Sequence, residues 1–248
     1  MTVRLLFELR GGVFRARSAG VMEIERIGVV RSCFGEKFGT PRQPGLCPSA
    51  WGELVFDPAC RREEMIRGLD GFSHVWLIFG FHGTAGAGWH PTVRPPRLGG
   101  NKRVGVFASR SPFRPNGLGL SLARLDGIDR ERAEAPVLLL GGVDVIDGTP
   151  VFDIKPYLPY CEAPDGALGG FASAPQKHLD VEIDAAAARE FDALPDRARA
   201  LIREALACDP RPAVGAAESG RIYGAMLCGR NVRFVVEDGA RCRVVEVG

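Results

Sequence analysis

Seven short runs of strand-forming residues, none of them separated by a long amphipathic helix, limit what this chain can become. They lie at 24–30, 52–56, 74–81, 103–107, 119–126, 135–140 and 151–154. Each has strand length and most are closed by Gly, Pro, Asn or Asp, the pattern of an all-β sandwich or barrel. Between them only 61–68 reads as a short helix. A doubly wound α/β domain needs helical patterns of about 10 to 15 residues between its strands, and this region has none. The segments PRQPGLCPS and WHPTVRPPRLGG are instead long, proline-stiffened loops, of the kind that carry function in a compact domain.

The 248 residues suffice for one large domain, or for one medium domain and one small one. A turn-rich stretch, PYLPYCEAPDGALGGFASAP, ends the strand-rich region. Beyond it, 185–208 is Ala-rich, with Phe191, Leu194, Ala198, Leu201, Ala205 and Leu206 near helical spacing and Pro195 breaking or preceding the helix. DPRP stops that helix, and strands over 221–228, 231–236 and 241–247 follow, the last two joined by the tight turn EDGA. The expected organisation is an N-terminal extension over 1–22, a β-barrel domain over 23–160, a linker over 161–175 and a small α+β domain over 176–248. The extension is set off by Gly11 and Gly12 and reads as poorly ordered or as the product of a start codon placed too early.

Charge is distributed unevenly. From Gly71 to Leu125 there is no Asp or Glu, yet there are seven basic residues, Arg94, Arg97, Lys102, Arg103, Arg110, Arg114 and Arg124, in a chain whose formal net charge is only +2. Set among Pro and Gly, these form a stiff cationic surface whose guanidinium forks suit phosphate oxygens. The plain alternative is a solvated face with its acidic partners elsewhere. Seven Cys without a CxxC pair argue against a disulfide framework and a zinc knuckle, and read as small buried hydrophobes or surface thiols. No apolar run is long enough to span a membrane and the N-terminus is a poor signal peptide, so a cytoplasmic location is expected.

Nucleotide fingerprints are missing: RLGGNKR has neither GxGxxG spacing nor a Lys followed by Ser or Thr. No His pair has metalloprotease spacing, and no metal is expected. His74 reads as a structural imidazole, whereas His82, in a turn after a strand, serves either binding or structure. In GGVDVIDGTPVFDIKPYLPY, Asp144, Asp147, Asp153 and Lys155 fall close together. Asp147 begins a turn signature, so it either caps that turn or belongs with Lys155 to a pocket formed at strand ends. Trp76 reads as core and Trp89 as a surface stacking candidate.

The motifs MEIERIGVVRS, EKFGTPRQPGL, RGLDGFSHVWLIFGFH, WHPTVRPPRLGGNKRVGVFASRSPFRPNGLGLS, DVIDGTPVFDIKPYLPY, DPRPA and FVVEDG occur in this order. In them the chain closely resembles the TrmO, or TsaA-like, family of bacterial tRNA adenine N6-methyltransferases, from residue 23 to about 247. Where members commonly read TRSxFRPNPIG, this chain has Ser109 and Gly117-Leu118. The resemblance implies a mainly β protein whose S-adenosylmethionine (SAM) site is built on a barrel and not on a Rossmann-like sheet, with a smaller C-terminal α+β domain. It further implies methylation at N6 of N6-threonylcarbamoyladenosine, next to the anticodon of threonine tRNAs, by a homodimer with cofactor near the subunit interface. The anticodon stem-loop is the expected partner; neither DNA nor a membrane is.

Carried over motif by motif, the resemblance assigns cofactor contact to Pro41, Arg42, Gln43, His82, Gly83, Arg110, Leu120, Asp147, Gly148, Thr149 and Pro150. Asp147, Lys155 and Tyr157 are the catalytic candidates. Asp147 either accepts the N6 proton or holds the cofactor, with a backbone carbonyl as its rival. Lys155 is suited to the threonyl carboxylate or to charge on the carbamoyl oxygen. Arg94, Arg97, Lys102, Arg103 and Arg114 are expected to face RNA, as are Arg211, beside Asp209 in DPRP, and Asn231. The rival reading is a non-catalytic RNA-binding barrel, which would ignore SAM.

Overall fold

In His74–Gly80 the residues Val75, Leu77 and Phe79 are buried while His74, Trp76 and Ile78 are partly exposed, the period-two signature of a strand with one face on a core. Repeated along the chain, that pattern closes a barrel. In this computed structural model, which describes residues 13–14, 24–175, 177–212 and 220–248, the barrel strands are β1 (Gly28–Ser32), β2 (Trp51–Phe56), β3 (His74–Gly80), β4 (Leu118–Asp129), β5 (Val137–Gly141) and β6 (Thr149–Pro156). They close in the order β6-β1-β2-β5-β4-β3, with every neighbouring pair antiparallel. Val30, Leu54, Leu77, Leu138, Leu140 and Val151 are buried, and closure leaves no sheet edge unpaired.

Six of the seven expected runs supply these strands. The seventh does not: only Val104–Gly105 of 103–107 is extended, paired with Thr92–Val93 outside the barrel. The six-stranded ring is already closed, so it offers this run no edge to join. The first run also divides at Arg26-Ile27, its leading part, Ile24–Glu25, pairing with Val13–Phe14. Apart from that pairing, the expected 1–22 extension lies outside the described residues.

Antiparallel pairing brings the exits of β1, β3 and β5 to the same end as the entries of β2, β4 and β6, as the registers Ser32↔Gly52, Gly80↔Leu118 and Thr149↔Val30 require. Three connections, 33–50, 81–117 and 142–148, therefore crowd one mouth of the barrel.

The smaller C-terminal region contains β7 (Asp180–Ile183), α1 (Ala185–Asp192), α2 (Asp196–Ala207), β8 (Tyr223–Leu227), β9 (Arg230–Glu237) and β10 (Arg241–Val247), with sheet order β7-β10-β9-β8. Two helices replace the single broken one because Pro195 stands at the N-terminus of α2. The helices bury Phe191, Leu201, Ile202 and Leu206. Strand β7 was not expected: DVEI is short and half acidic, and it is extended because it pairs in parallel with β10. Asp238 and Gly239 both have positive φ, as a primed hairpin turn requires. The cysteines are free thiols, with Cys33, Cys47, Cys208 and Cys242 buried. Among the described residues no helix is long and apolar enough to cross a membrane.

Candidate active site

The 142–148 connection brings the DGTP turn to the mouth. The amides of Asp147 and Gly148 donate to Phe34 O and Val30 O at 2.8 and 2.9 Å, which fastens the turn to β1 and the residues after it. Asp147 is exposed, and its Oδ1 accepts from the Ser32 amide at 2.9 Å. Its second oxygen has no protein hydrogen bond among the described residues. Thr149 is buried, its hydroxyl donating to Ile146 O at 2.6 Å. Gly148 has φ +76, and a Cβ there would lie 3.9 Å from His82 Nε2; a Cβ at Gly83 would lie 3.1 Å from Ile146. The 82–83 turn and the 146–148 turn are thus adjacent.

The other two connections meet there as well. Arg110, exposed, donates to Gln43 Oε1, joining the SRSPFRPN and PRQ segments. Pro41 is buried and Pro150 partly so. Leu120 is 55% exposed on the outer face of β4, opposite Ile78. Arg42 donates to Arg211 O at 2.9 Å, turning toward the C-terminal domain.

Asp144 has no role in the motif-by-motif assignment, yet it lies at the centre of this arrangement. Ser121, a buried inward residue of β4, donates its hydroxyl proton to the Asp144 carboxylate. Burial pushes the Asp144 carboxyl up to about 6, an effect that Ser121 and the nearby Arg110 charge oppose. The available sequence signal is a lone acid in the apolar run GGVDVI, together with a lone hydroxyl in LGLSLA.

Lys155 and Tyr157 are not brought to Asp147 within the chain. The six-residue step from Thr149 to Lys155 along β6 spans roughly 20 Å of extended strand, so the catalytic candidates occupy opposite ends of the barrel. Lys155 pairs with Asp153 at 3.0 Å and Tyr157 packs edge-on against His74 and Trp76. Within one chain these strand-end groups do not meet, because a single strand carries both sets.

The cationic residues also divide. Arg97 donates to Ala172 O at 3.0 Å and to Ala174 O, pinning the 161–175 segment to the loop. Arg103 donates to Thr92 Oγ1 at 2.9 Å, and Arg114 to Ser109 O at 2.8 Å. Arg94 and Lys102 are exposed and have no hydrogen bond or ion pair among the described residues. Arg211 is only 8% exposed and binds both oxygens of Asp209, at 2.8 and 2.9 Å, which makes it part of the interior of the domain contact and not a free phosphate ligand. Asn231 is exposed near the start of β9, an interior strand between β8 and β10.

Comparison with known proteins agrees with this fold. Residues 29–163 match the tRNA-methyltransferase O N-terminal domain and residues 176–248 the TrmO C-terminal domain. A tRNA (adenine(37)-N6)-methyltransferase of Escherichia coli K12 is 48% identical over 221 residues, 87% of this chain and 94% of that protein. An enzyme of the same description from Eikenella corrodens is 51% identical over 172 residues, 68% and 93% of the two chains. The crystal structure of TrmO from Pseudomonas aeruginosa superposes with a TM-score of 0.76 at 39% identity, covering 92% of this chain and 98% of that one. Barrel, appended domain and matched sequence together assign the chain to the TrmO family of SAM-dependent tRNA (adenine-N6)-methyltransferases.

Proposed function

We propose that the loop-crowded mouth of the barrel holds SAM, and that the chain methylates N6 of N6-threonylcarbamoyladenosine beside the anticodon of threonine tRNAs. The observation that carries this reading is the convergence of PRQ, His82-Gly83, Arg110 and DGTP on one mouth from three separate connections. The residues fit the cofactor's chemistry. Leu120 and His82 offer flat or apolar surface to a purine, and Arg110 offers a fork to a carboxylate. The side-chain-free turn at Gly148 leaves space beside His82 that a Cβ would fill.

Bound SAM supplies a methyl group already activated on a sulfonium. The chain's own task is alignment and proton handling at N6, whose lone pair is delocalised into the purine and the carbamoyl group. Asp147 is suited to accept the N6 proton: the Ser32 amide fixes one carboxylate oxygen and the other stays exposed.

Lys155 and Tyr157 reach such a site only from a second copy. The outward residues Trp76, Ile78, Leu118, Leu120 and Leu122 form an apolar stripe across β3 and β4, and Lys155 lies opposite Trp76 in the neighbouring ladder. A homodimer joined over this stripe would supply Lys155 and Tyr157 of one subunit to the DGTP turn of the other.

Nucleoside mass analysis of tRNA incubated with protein and SAM tests the reaction. The expected result is a one-methyl gain on threonylcarbamoyladenosine, with tRNA lacking that modification left unchanged; an unaltered nucleoside profile overturns the assignment. Asp147→Asn is expected to lower single-turnover methylation by about 100-fold or more while cofactor affinity stays within about threefold. Unchanged turnover removes Asp147 as proton acceptor. Mixing Asp147→Asn and Lys155→Ala subunits should restore activity if the two residues meet across the dimer, and no restoration returns Lys155 to a peripheral role.

A further inference from the structure

Phe107 is 78% exposed, among the most exposed large apolar side chains of the described residues, yet the backbone that carries it is firmly held. It sits in a single helical turn, Val106–Ala108, whose first residue is buried. The Val106 amide donates to Pro91 O at 3.0 Å, and Val106 O accepts from the Ser109 amide at 3.2 Å and the Ser109 hydroxyl at 2.8 Å. Arg114 donates to Ser109 O at 2.8 Å, and its guanidinium carbon lies over the Phe107 ring, 5.8 Å from the centroid. A flat side chain with only two rotatable bonds is thus held out into water from a fixed turn with a cation beside it. Binding on such a ring has little freedom left to remove.

The surroundings of this turn carry one sign of charge. Thr92–Val93 pairs with Val104–Gly105, so the exposed Arg94, Lys102 and Arg103 share a hairpin whose second strand runs directly into the Phe107 turn. No Asp or Glu occurs between Gly71 and Leu125, and among the described residues none of Arg94, Lys102, Arg103 and Arg114 forms an ion pair. An apolar protein surface would use the ring and bury the charges unpaired, whereas an acidic one would use the charges and leave the ring idle. Single-stranded RNA uses both, with phosphates on the cations and an unpaired base on the ring.

We infer that Phe107 is a stacking platform for an unpaired RNA base, the one flanking the adenosine to be methylated. The inference rests on the proposal that the mouth acts on an anticodon loop. Arg110, three residues further on, donates to Gln43 at the mouth, and three residues span at most about 11 Å. A ring at that reach from the mouth, on its exposed side, is placed for the neighbouring nucleotide and not for the reacting one. Trp89 is the rival platform of the same loop. It is 55% exposed, but its ring has neither a cation nor another ring against it among the described residues, so binding would have to order it.

The test is a binding cycle between the full-length protein and a threonine tRNA anticodon stem-loop carrying N6-threonylcarbamoyladenosine, intact or with an abasic nucleotide at either position flanking that adenosine. Phe107→Ala should bind the intact stem-loop about 5- to 100-fold more weakly, and Phe107→Trp should restore affinity. The log–log salt slope should stay that of wild type, because no cation is removed. One abasic position should weaken wild type by a similar factor and leave Phe107→Ala unaffected, the mark of two groups that act only together. SAM affinity and elution volume should match wild type. Wild-type RNA affinity in Phe107→Ala overturns the inference, as do additive losses at both flanking positions or a loss confined to Trp89→Ala. A Phe107→Ala protein that elutes differently or binds SAM more weakly also overturns it, by assigning the ring to a subunit or cofactor contact. If wild type itself has no affinity for the stem-loop at low salt, the anticodon-loop proposal fails and the role of Phe107 falls with it.

Discussion

Loops 33–50 and 81–117 both border the mouth, but the first is held by another domain and the second by itself. Phe34 bridges to Leu227, Phe38 packs against both Tyr223 and Phe234, and Glu36 accepts from the Met226 amide at 3.0 Å. The Ser49 amide and hydroxyl each donate to Glu204 at 2.8 Å, and Arg197 of the same helix donates to Ser49 O at 3.0 Å while lying over Trp51. Cys47 and Cys208 share a hydrogen bond across the same contact, which raises the Cys47 thiol and lowers that of Cys208. Among the described residues loop 81–117 has no comparable backing. Its arginines Arg103 and Arg114 bond within the loop, and Arg97 grips the 161–175 segment. One wall of the mouth is therefore buttressed by the C-terminal domain, while the opposite wall stays exposed and cationic. A fixed wall suits a constant cofactor, and an exposed one suits a large polyanion.

If the C-terminal domain buttresses the PRQ wall, cutting its strongest polar tie should give the largest effect. Glu204→Ala removes two charge-assisted hydrogen bonds and should cost about 3 kcal/mol in denaturant unfolding, with weaker SAM binding as well. A stability loss without any change in affinity would separate the buttress from the pocket. Next comes Gly39, at φ +91, where a Cβ would lie 3.1 Å from Leu227 Cδ2. Gly39→Val should destabilise by about 2 kcal/mol through the left-handed backbone and that contact, and wild-type melting would show the two regions to be more loosely joined.

Asp144→Asn probes the barrel interior between the two walls, where Ser121 donates to the Asp144 carboxylate. Its carboxyl rises from an ordinary 3.8 to about 6 on folding. The folded state therefore holds the proton more tightly than the unfolded state, and stability falls as pH rises from about 4 to about 6. At pH 7 the variant should be about 1 to 3 kcal/mol more stable than wild type, with the gain gone below pH 4. A variant that melts lower at pH 7 would show that the Ser121 hydrogen bond outweighs the burial cost. The smallest effects concern the exposed wall. Neutralising Arg94 or Lys102 should reduce the log–log salt slope of tRNA binding by roughly 0.7 to 0.9 each, whereas Arg97→Ala should leave the slope unchanged and make 161–175 more sensitive to protease. Equal slopes for all three variants would contradict the division between free and internally bonded cations.

The barrel was legible because period-two burial in runs such as VWLIF and VLLL is a local property, and because proline-stiffened segments between such runs can only be loops. The three motifs proposed to hold the cofactor were legible as motifs, since PRQPG, RSPFRPN and DGTP are contiguous stretches. What stayed hidden depends on residues distant in the chain. DVEI became a strand through pairing with β10, and Arg97 and Arg211 lost their expected freedom to the partners that packing placed beside them. Asp144 reads as one more loop acid until Ser121, twenty-three residues earlier, is found hydrogen-bonded to it.

By itself the sequence determined the strand content, the helix-poor first domain, the order of the motifs and the concentration of positive charge in one block, all of which follow from neighbours a few residues apart. Only the tertiary structure decided which ends of the strands meet. Antiparallel closure gathers the 33–50, 81–117 and 142–148 connections at one mouth and carries Lys155 and Tyr157 to the other end. Such placement is set by register and barrel closure, which are properties of strand pairs and not of any one segment.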